Sequence, residues 1–200
     1  MNTIDCIRKR RTIRYFQQRP VPHDILLELV DLARFSPCAS NRQPLEYIIV
    51  EKDSQKNELF KHLAWAGYVQ PKRNPPAEKR PVAYIIILIQ KEISLGNFGP
   101  VDAAAAIQTI LLAACSHGIG TCWLGAIQRE NIRTLFSISD NYEINSVIAL
   151  GYPAEQPQSE DAENNTAEGL KYYLDDNDQL HIPKRPLSTI CHLDTFGKKP

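Results

Sequence analysis

Asp102-Ala103-Ala104-Ala105-Ala106-Ile107-Gln108-Thr109-Ile110-Leu111-Leu112-Ala113-Ala114-Cys115-Ser116-His117 is the stretch that decides the architecture. Alanine and leucine are strong helix formers, and this run is apolar nearly all round instead of along one stripe. Such a helix has to be buried on most sides. One neighbouring sheet leaves part of it uncovered, and burial inside a dimer is the natural way to cover the rest. Gly118 ends the helix.

Working outward, Val82–Gln90 (Val-Ala-Tyr-Ile-Ile-Ile-Leu-Ile-Gln) is a strand apolar on both faces, which predicts a central place in a sheet. Leu45–Val50, Gly120–Ala126 and Val147–Tyr152 read as further strands. Helices are predicted from Ile4 to Arg10 or Arg11 with Asn2 or Thr3 as cap, from Ile25 to Phe35 with Asp24 as cap, from Ser54 to about Ala66, and from Gln128 to Phe136. Gly67–Pro81 holds four prolines and no apolar periodicity, and reads as a lid or rim with Trp65 and Tyr68 at its base. Residues 154–169 read as an acidic loop. Tyr172–Leu174 and Gln179–Ile182 flank Asp175-Asp176-Asn177-Asp178 as a hairpin. That turn lacks the glycine and distal glutamate of an EF-hand, so it reads as a turn and not as a calcium site.

The chain has 200 residues, 43% hydrophobic and 23% charged, with a formal net charge of +0. This suits one soluble domain over 1–200, and the zero balance argues against general polyanion binding. Five cysteines, an odd number without CxxC spacing, fit reduced thiols in a cytoplasmic protein. The N-terminus lacks the apolar segment of a signal peptide, and no apolar run approaches the ~20 residues of a membrane helix. GxGxxG, GxxxxGKS, GxSxG and HExxH are all missing. Their absence weakens hydrolase readings and suits an enzyme whose chemistry is carried by a cofactor.

Two segments carry candidate binding residues. Arg8-Lys9-Arg10-Arg11-Thr12-Ile13-Arg14 puts five cations in seven positions. Alone it reads as a solvated helix end favoured by the helix dipole, as a nucleic-acid patch, or as an anion site, where arginine can grip two phosphate oxygens at once. Cys38-Ala39-Ser40-Asn41-Arg42-Gln43-Pro44 is either a connecting loop or a polar, backbone-rich loop that can lie against a planar ligand.

Taken in order, six marks resemble the FMN-dependent nitroreductase family. They are Arg10–Arg14, Ser36–Pro44, Asp102 with its alanine-rich helix, Gly118–Gly125, Gly151-Tyr152-Pro153 and Lys184-Arg185-Pro186-Leu187, and the resemblance runs from about Asp5 to Phe196. It implies an α+β fold, a central mostly antiparallel sheet wrapped by helices, in an intertwined homodimer with FMN in clefts shared by both subunits. By the same resemblance Arg10, Thr12 and Arg14, with Arg11 beside them, would hold the phosphate and ribityl. Arg185, with Lys184, would close on the phosphate. Cys38, Ala39, Ser40, Asn41 and Gln43 would meet the flavin from the partner chain, and backbone at Leu124 and Gly125 would lie near N5. The implied reaction carries reducing equivalents from NAD(P)H to a nitroaromatic, quinone or similar acceptor, with no side chain needed as general acid. A flavin-binding sensor or storage protein, or a flavin reductase, dehalogenase or enone reductase variant, is the alternative. Nucleic acid, membrane and metal are not expected partners. The chain departs from the family where serine is often found at the position of Cys38, and where many members carry Pro-Glu-Gly in place of Trp123-Leu124-Gly125.

Overall fold

Four strands form the central sheet: β1 (Leu45–Val50), β2 (Ala83–Gln90), β3 (Gly120–Leu124) and β4 (Tyr142–Gly151). Their order is β1-β2-β4-β3, with every neighbouring pair antiparallel. The computed structural model describes residues 1–200. β2 is central, as its two-faced apolar pattern predicts, and Ala83 to Ile89 are all buried. β4 begins at Tyr142, earlier than the sequence suggests, because Tyr142, Glu143 and Ile144 pair with Gln90, Ile89 and Leu88 across a bulge.

The helices of this unit are α1 (Thr3–Lys9), α2 (His23–Ala33), α3 (Asp53–Phe60), α4 (Gly99–Ser116) and α5 (Arg129–Phe136). α4 starts three residues before Asp102, with Pro100 in its first turn, where a missing N–H costs nothing. Its Ala103, Ala106, Ile107, Ile110 and Ala114 pack with Leu26, Leu29 and Ala33 of α2 and with Ile85, Ile87 and Ile148 of the sheet. A Cβ on Gly99 would stand 2.8 Å from Ile89 Cγ2, so this glycine lets the helix start close against β2. The opposite side is open: Val101 is 60% exposed, and Ala104, Ala105 and Leu112 are only partly covered. A single copy therefore buries about half of a helix that is apolar all round. By length and composition Gly96–Ser116, 21 residues whose most apolar window has mean hydropathy 1.5, would reach across a membrane, contrary to the expectation that no run approaches that. Its packed face is that of a core helix.

Other boundaries also move. α2 follows Pro22, and Asp24 lies in its first turn instead of capping it. α3 follows Lys52, so Ser54 is no cap. It stops at Phe60, since Leu63 leaves the helical path to bridge Ile127.

Met1–Trp65 and Arg73–Glu155 make this first compact unit; Ala66–Lys72 and Gln156–Pro200 make a second. The second holds β5 (Gln158–Asp161), β6 (Tyr173–Leu174), β7 (Leu180–Lys184) and α6 (Leu187–Ile190), with sheet order β5-β7-β6. The acidic stretch 154–169 thus contains a strand, stabilised by parallel pairing with β7. The hairpin turn closes through Asp175 Oδ1, which accepts from the backbone N–H groups of Asn177 and Gln179. Tyr68, 65% exposed, rests against Tyr172 at 5.0 Å.

His181 on β7 lies 2.8 Å from Glu160 of β5 and 3.3 Å from Asp175. Tyr173 stacks on its ring and donates to Glu160. Hydrogen bonding to Glu160 raises His181 above its ordinary 6.5. Glu160 is lowered from 4.5, first by Tyr173 and then by His181, and Asp175 from 3.8, first by the Gln179 N–H. The imidazolium contributes stability that is full below pH 6.5 and fades as pH rises through the raised value. The carboxylates contribute above their ordinary values and fade as pH falls through the lowered ones. Amide exchange in β7, corrected for intrinsic rates, should therefore slow from about pH 8.5 to about pH 5.5, and His181→Gln should remove the difference.

Candidate functional site

Asn2 caps α1 by accepting from the Asp5 N–H, and the helix ends at Lys9 with Arg10 N donating to Cys6 O. The chain then runs extended along the free edge of β3. Thr12 bridges Thr121, Ile13 N donates to Thr121 O at 2.9 Å, and Phe16 bridges Pro153. Gly120 makes this possible, because a Cβ there would sit 2.8 Å from the Ile13 side chain. Burying Ile13 fixes the phase of the segment, so Arg10, Arg11, Thr12 and Arg14 are displayed as one partly exposed group.

Two residues that the sequence reading missed hold this group in place. Glu155 Oε1 accepts from the backbone N–H groups of Arg14 and Tyr15 at 2.5 and 3.1 Å. Its Oε2 is 3.4 Å from Arg73 Nε, in a pair whose side chains are only 10% and 7% exposed. The Arg73 guanidinium and the Lys79 ammonium each stand 4.7 Å from the Tyr15 ring. No spacing rule connects position 14 with position 155; the link exists only through the turn after β4. Arg10 takes part in no ion pair. Arg11 donates to Arg10 O at 2.6 Å, and burial, then the charge of Arg10, pushes its guanidinium down. Beneath the segment Thr121 Oγ1 is buried without a hydrogen-bond partner. Crowded guanidiniums, a hydroxyl at Thr12 and an orphaned hydroxyl form a donor set suited to a phosphate.

The loop 38–44 is built differently. Ser40, Asn41 and Gln43 have φ of 50°, 52° and 52°, a left-handed conformation costing on the order of 1–3 kcal/mol per non-glycine residue. Asp102, 5% exposed, holds it there. Its Oδ1 accepts from Ala39 N at 2.9 Å, its Oδ2 lies 3.2 Å from Cys38 Sγ, and that sulfur accepts from Gln43 N at 3.1 Å. Burial pushes the Cys38 thiol up, and Asp102 adds to this, so it stays protonated near neutrality. A cavity of about 150 Å³ adjoins the loop between Arg34, Tyr47 and Ala106.

Leu124 is buried at the far end of β3. Gly125 follows it, exposed, with open space where a Cβ would stand. In the second unit Lys184 and Arg185 are exposed, and Arg185 donates to Asn165 Oδ1 and Thr189 O. Trp65 is buried and stacks on Phe60.

Within the first unit the sheet keeps the arginine segment and the loop 38–44 apart. The segment lies along the outer edge of β3, and the loop leads into β1 at the opposite edge, four strand spacings or about 19 Å away. Gly120 sits at the level of Gly151, near the Ala83–Leu150 pair, whereas Leu45 pairs with Ile89. That adds six residues, or about 20 Å, along the strands. α4 gives the same span: Asp102 meets the loop near one end, and Cys115 lies by Cys6 of α1 near the other, about 20 Å away along the helix.

A family model described as "Nitroreductase family" matches residues 7–152. A Methanothermobacter thermautotrophicus relative with the provisional name NADH dehydrogenase/NAD(P)H nitroreductase is 31% identical over 188 residues, covering 92% of this chain and 88% of that one. The crystal structure of a nitroreductase family protein from Clostridium difficile superposes with a TM-score of 0.72 at 23% identity, covering 98% and 100% of the two chains. A Desulfovibrio desulfuricans protein, provisionally described as a nitroreductase and solved in complex with FMN, superposes at 0.67 with 22% identity, covering 86% and 95%.

Removing Glu155 leaves Arg73 buried without its carboxylate and two N–H groups without an acceptor. Glu155→Ala should cost about 3 kcal/mol in equilibrium urea unfolding, with Glu155→Gln losing less because its carbonyl still accepts.

Proposed function

The chain belongs to the nitroreductase family, and from that premise we propose that it is an FMN-dependent oxidoreductase carrying reducing equivalents from NAD(P)H to a small electrophilic acceptor, such as a nitroaromatic or a quinone. The observation that carries this reading is the arginine segment fixed on β3, a cationic group whose crowding a phosphate relieves. Bound there, FMN supplies the two-electron chemistry that connects donor to acceptor. Arg10, Thr12 and Arg14 grip its phosphate and ribityl, with Arg11 beside them. The backbone of Cys38, Ala39, Ser40 and Asn41, with Gln43, meets the flavin. Leu124 and Gly125 lie against the ring, where the missing Cβ at 125 leaves room. No side chain is assigned a proton-transfer role. Five free cysteines suit the reducing cytoplasm.

The working form is a homodimer. One copy keeps its own arginines and its own loop 38–43 at opposite corners, and one copy leaves half of α4 bare. Antiparallel pairing of α4 with its copy answers both, since in a two-fold interface the same patch faces itself. It covers Val101, Ala105 and Leu112, and it carries the Asp102 end of one helix to the Cys115 end of the other. The loop of one protomer then faces the arginines of its partner.

Purified protein should be yellow, release FMN on heating, and oxidise NAD(P)H when a quinone is added. Retained FMN without such turnover would favour the flavin-storage or sensor reading. Arg14→Ala should weaken FMN binding at least about tenfold, given roughly 1.5–3 kcal/mol for a charge-assisted hydrogen bond and 1.4 kcal/mol per decade; unchanged affinity in a titration would remove Arg14 from the site. Leu112→Glu should give a monomer in sedimentation and lose FMN with it, and a variant that stays dimeric would count against the α4 interface.

A further inference from the structure

Ser40 and Asn41 are exposed, their backbone is strained, and no hydrogen bond within the chain uses their side chains. A plain connection between α2 and β1 has no need of such a conformation, and still less of a buried carboxylate to hold it. Strain that the surrounding structure over-determines is a mark of a binding segment. We propose that Asp102 and Cys38 act together as the positioning pair for the flavin-facing loop, through a relay that runs from the Gln43 N–H to the Cys38 sulfur and from the Cys38 thiol to Asp102 Oδ2.

The relay has a direction. Cys38 Sγ accepts from Gln43 N at 3.1 Å, and its own hydrogen is directed to Asp102 Oδ2 at 3.2 Å. The second carboxylate oxygen takes the Ala39 N–H at 2.9 Å. One carboxylate on α4 thereby fixes both ends of the segment Ala39–Gln43. Asp102 stands in the first turn of α4, where the helix dipole favours a carboxylate, and it takes part in no salt bridge with a cation. Its acceptors are therefore committed to the loop. The side chain at 38 must accept and donate at once, which a thiol or a hydroxyl can do and a methyl cannot. Neither Asp102 nor the Cys38 sulfur touches the flavin in this assignment; each acts through the backbone of residues 39–43.

The inference rests on the FMN reading above, and its test separates the two. FMN affinity by fluorescence titration, the visible absorption band of the bound flavin, and the unfolding midpoint of the FMN-free protein are measured for the wild type and for Cys38→Ala, Cys38→Ser, Asp102→Asn and Asp102→Ala. Cys38→Ala should bind FMN about tenfold more weakly, the worth of roughly one hydrogen bond, with a shifted flavin band and an FMN-free midpoint lowered by less than that of Asp102→Ala. Cys38→Ser should restore most of the lost affinity. Asp102→Asn, which can still accept from Ala39 N, should lose less than Asp102→Ala. If wild type binds FMN and Cys38→Ala matches it in affinity and band, the positioning role is wrong while the FMN reading stands. Affinity losses that merely follow the FMN-free midpoints across the series would also overturn it, by making the pair a fold element only. A wild type that takes up no FMN overturns both.

Discussion

The packing of α4 on the sheet sets the terms for everything else in the first unit. A helix rich in alanine can approach β2 closely, and Gly99 brings its first turn against Ile89. That contact aligns an 18-residue helix across the sheet and gives it two ends with different tasks. Near one end a buried carboxylate holds the loop before β1. Near the other, α1 packs and delivers the chain into its cationic run. The helix therefore acts as a ruler: it fixes how far apart the arginine segment and the loop before β1 stand in one copy, and it leaves its opposite face bare.

Much of this was legible because it is local. The two-faced apolar run of β2, the all-round apolar character of α4 and the stripe of α2 depend on neighbours within a few residues. Periodicity reports such neighbours. The boundaries that moved did so for tertiary reasons: β4 is lengthened by pairing with the end of β2, α3 is cut short by the Leu63–Ile127 bridge, and a polar acidic stretch becomes β5 because β7 offers it a ladder.

The candidate site divides in the same way. The cationic cluster and the small polar loop stand out in the sequence as composition. Their supports do not. Glu155 looks like one acid among several, and only the turn after β4 carries it to Arg14 and Tyr15. Asp102 reads as a helix-start residue, and nothing local says that its oxygens face Cys38 and Ala39. A charge cluster can be seen in one dimension, but what holds it rigid is a contact between distant parts of the chain.

The docking of residues 12–16 carries a temporal consequence. Every backbone bond that seats this segment goes to a distant stretch: Thr121 O for Ile13, Lys79 O for Phe16, and Tyr15 O accepting from Ala154. Contacts of such high sequence separation form late, after the loops between them have closed. On the ribosome the arginines emerge before these partners and stay undocked until residue 154 has followed. The most densely cationic run of the unit therefore cannot take up its docked conformation until nearly the whole unit has been made.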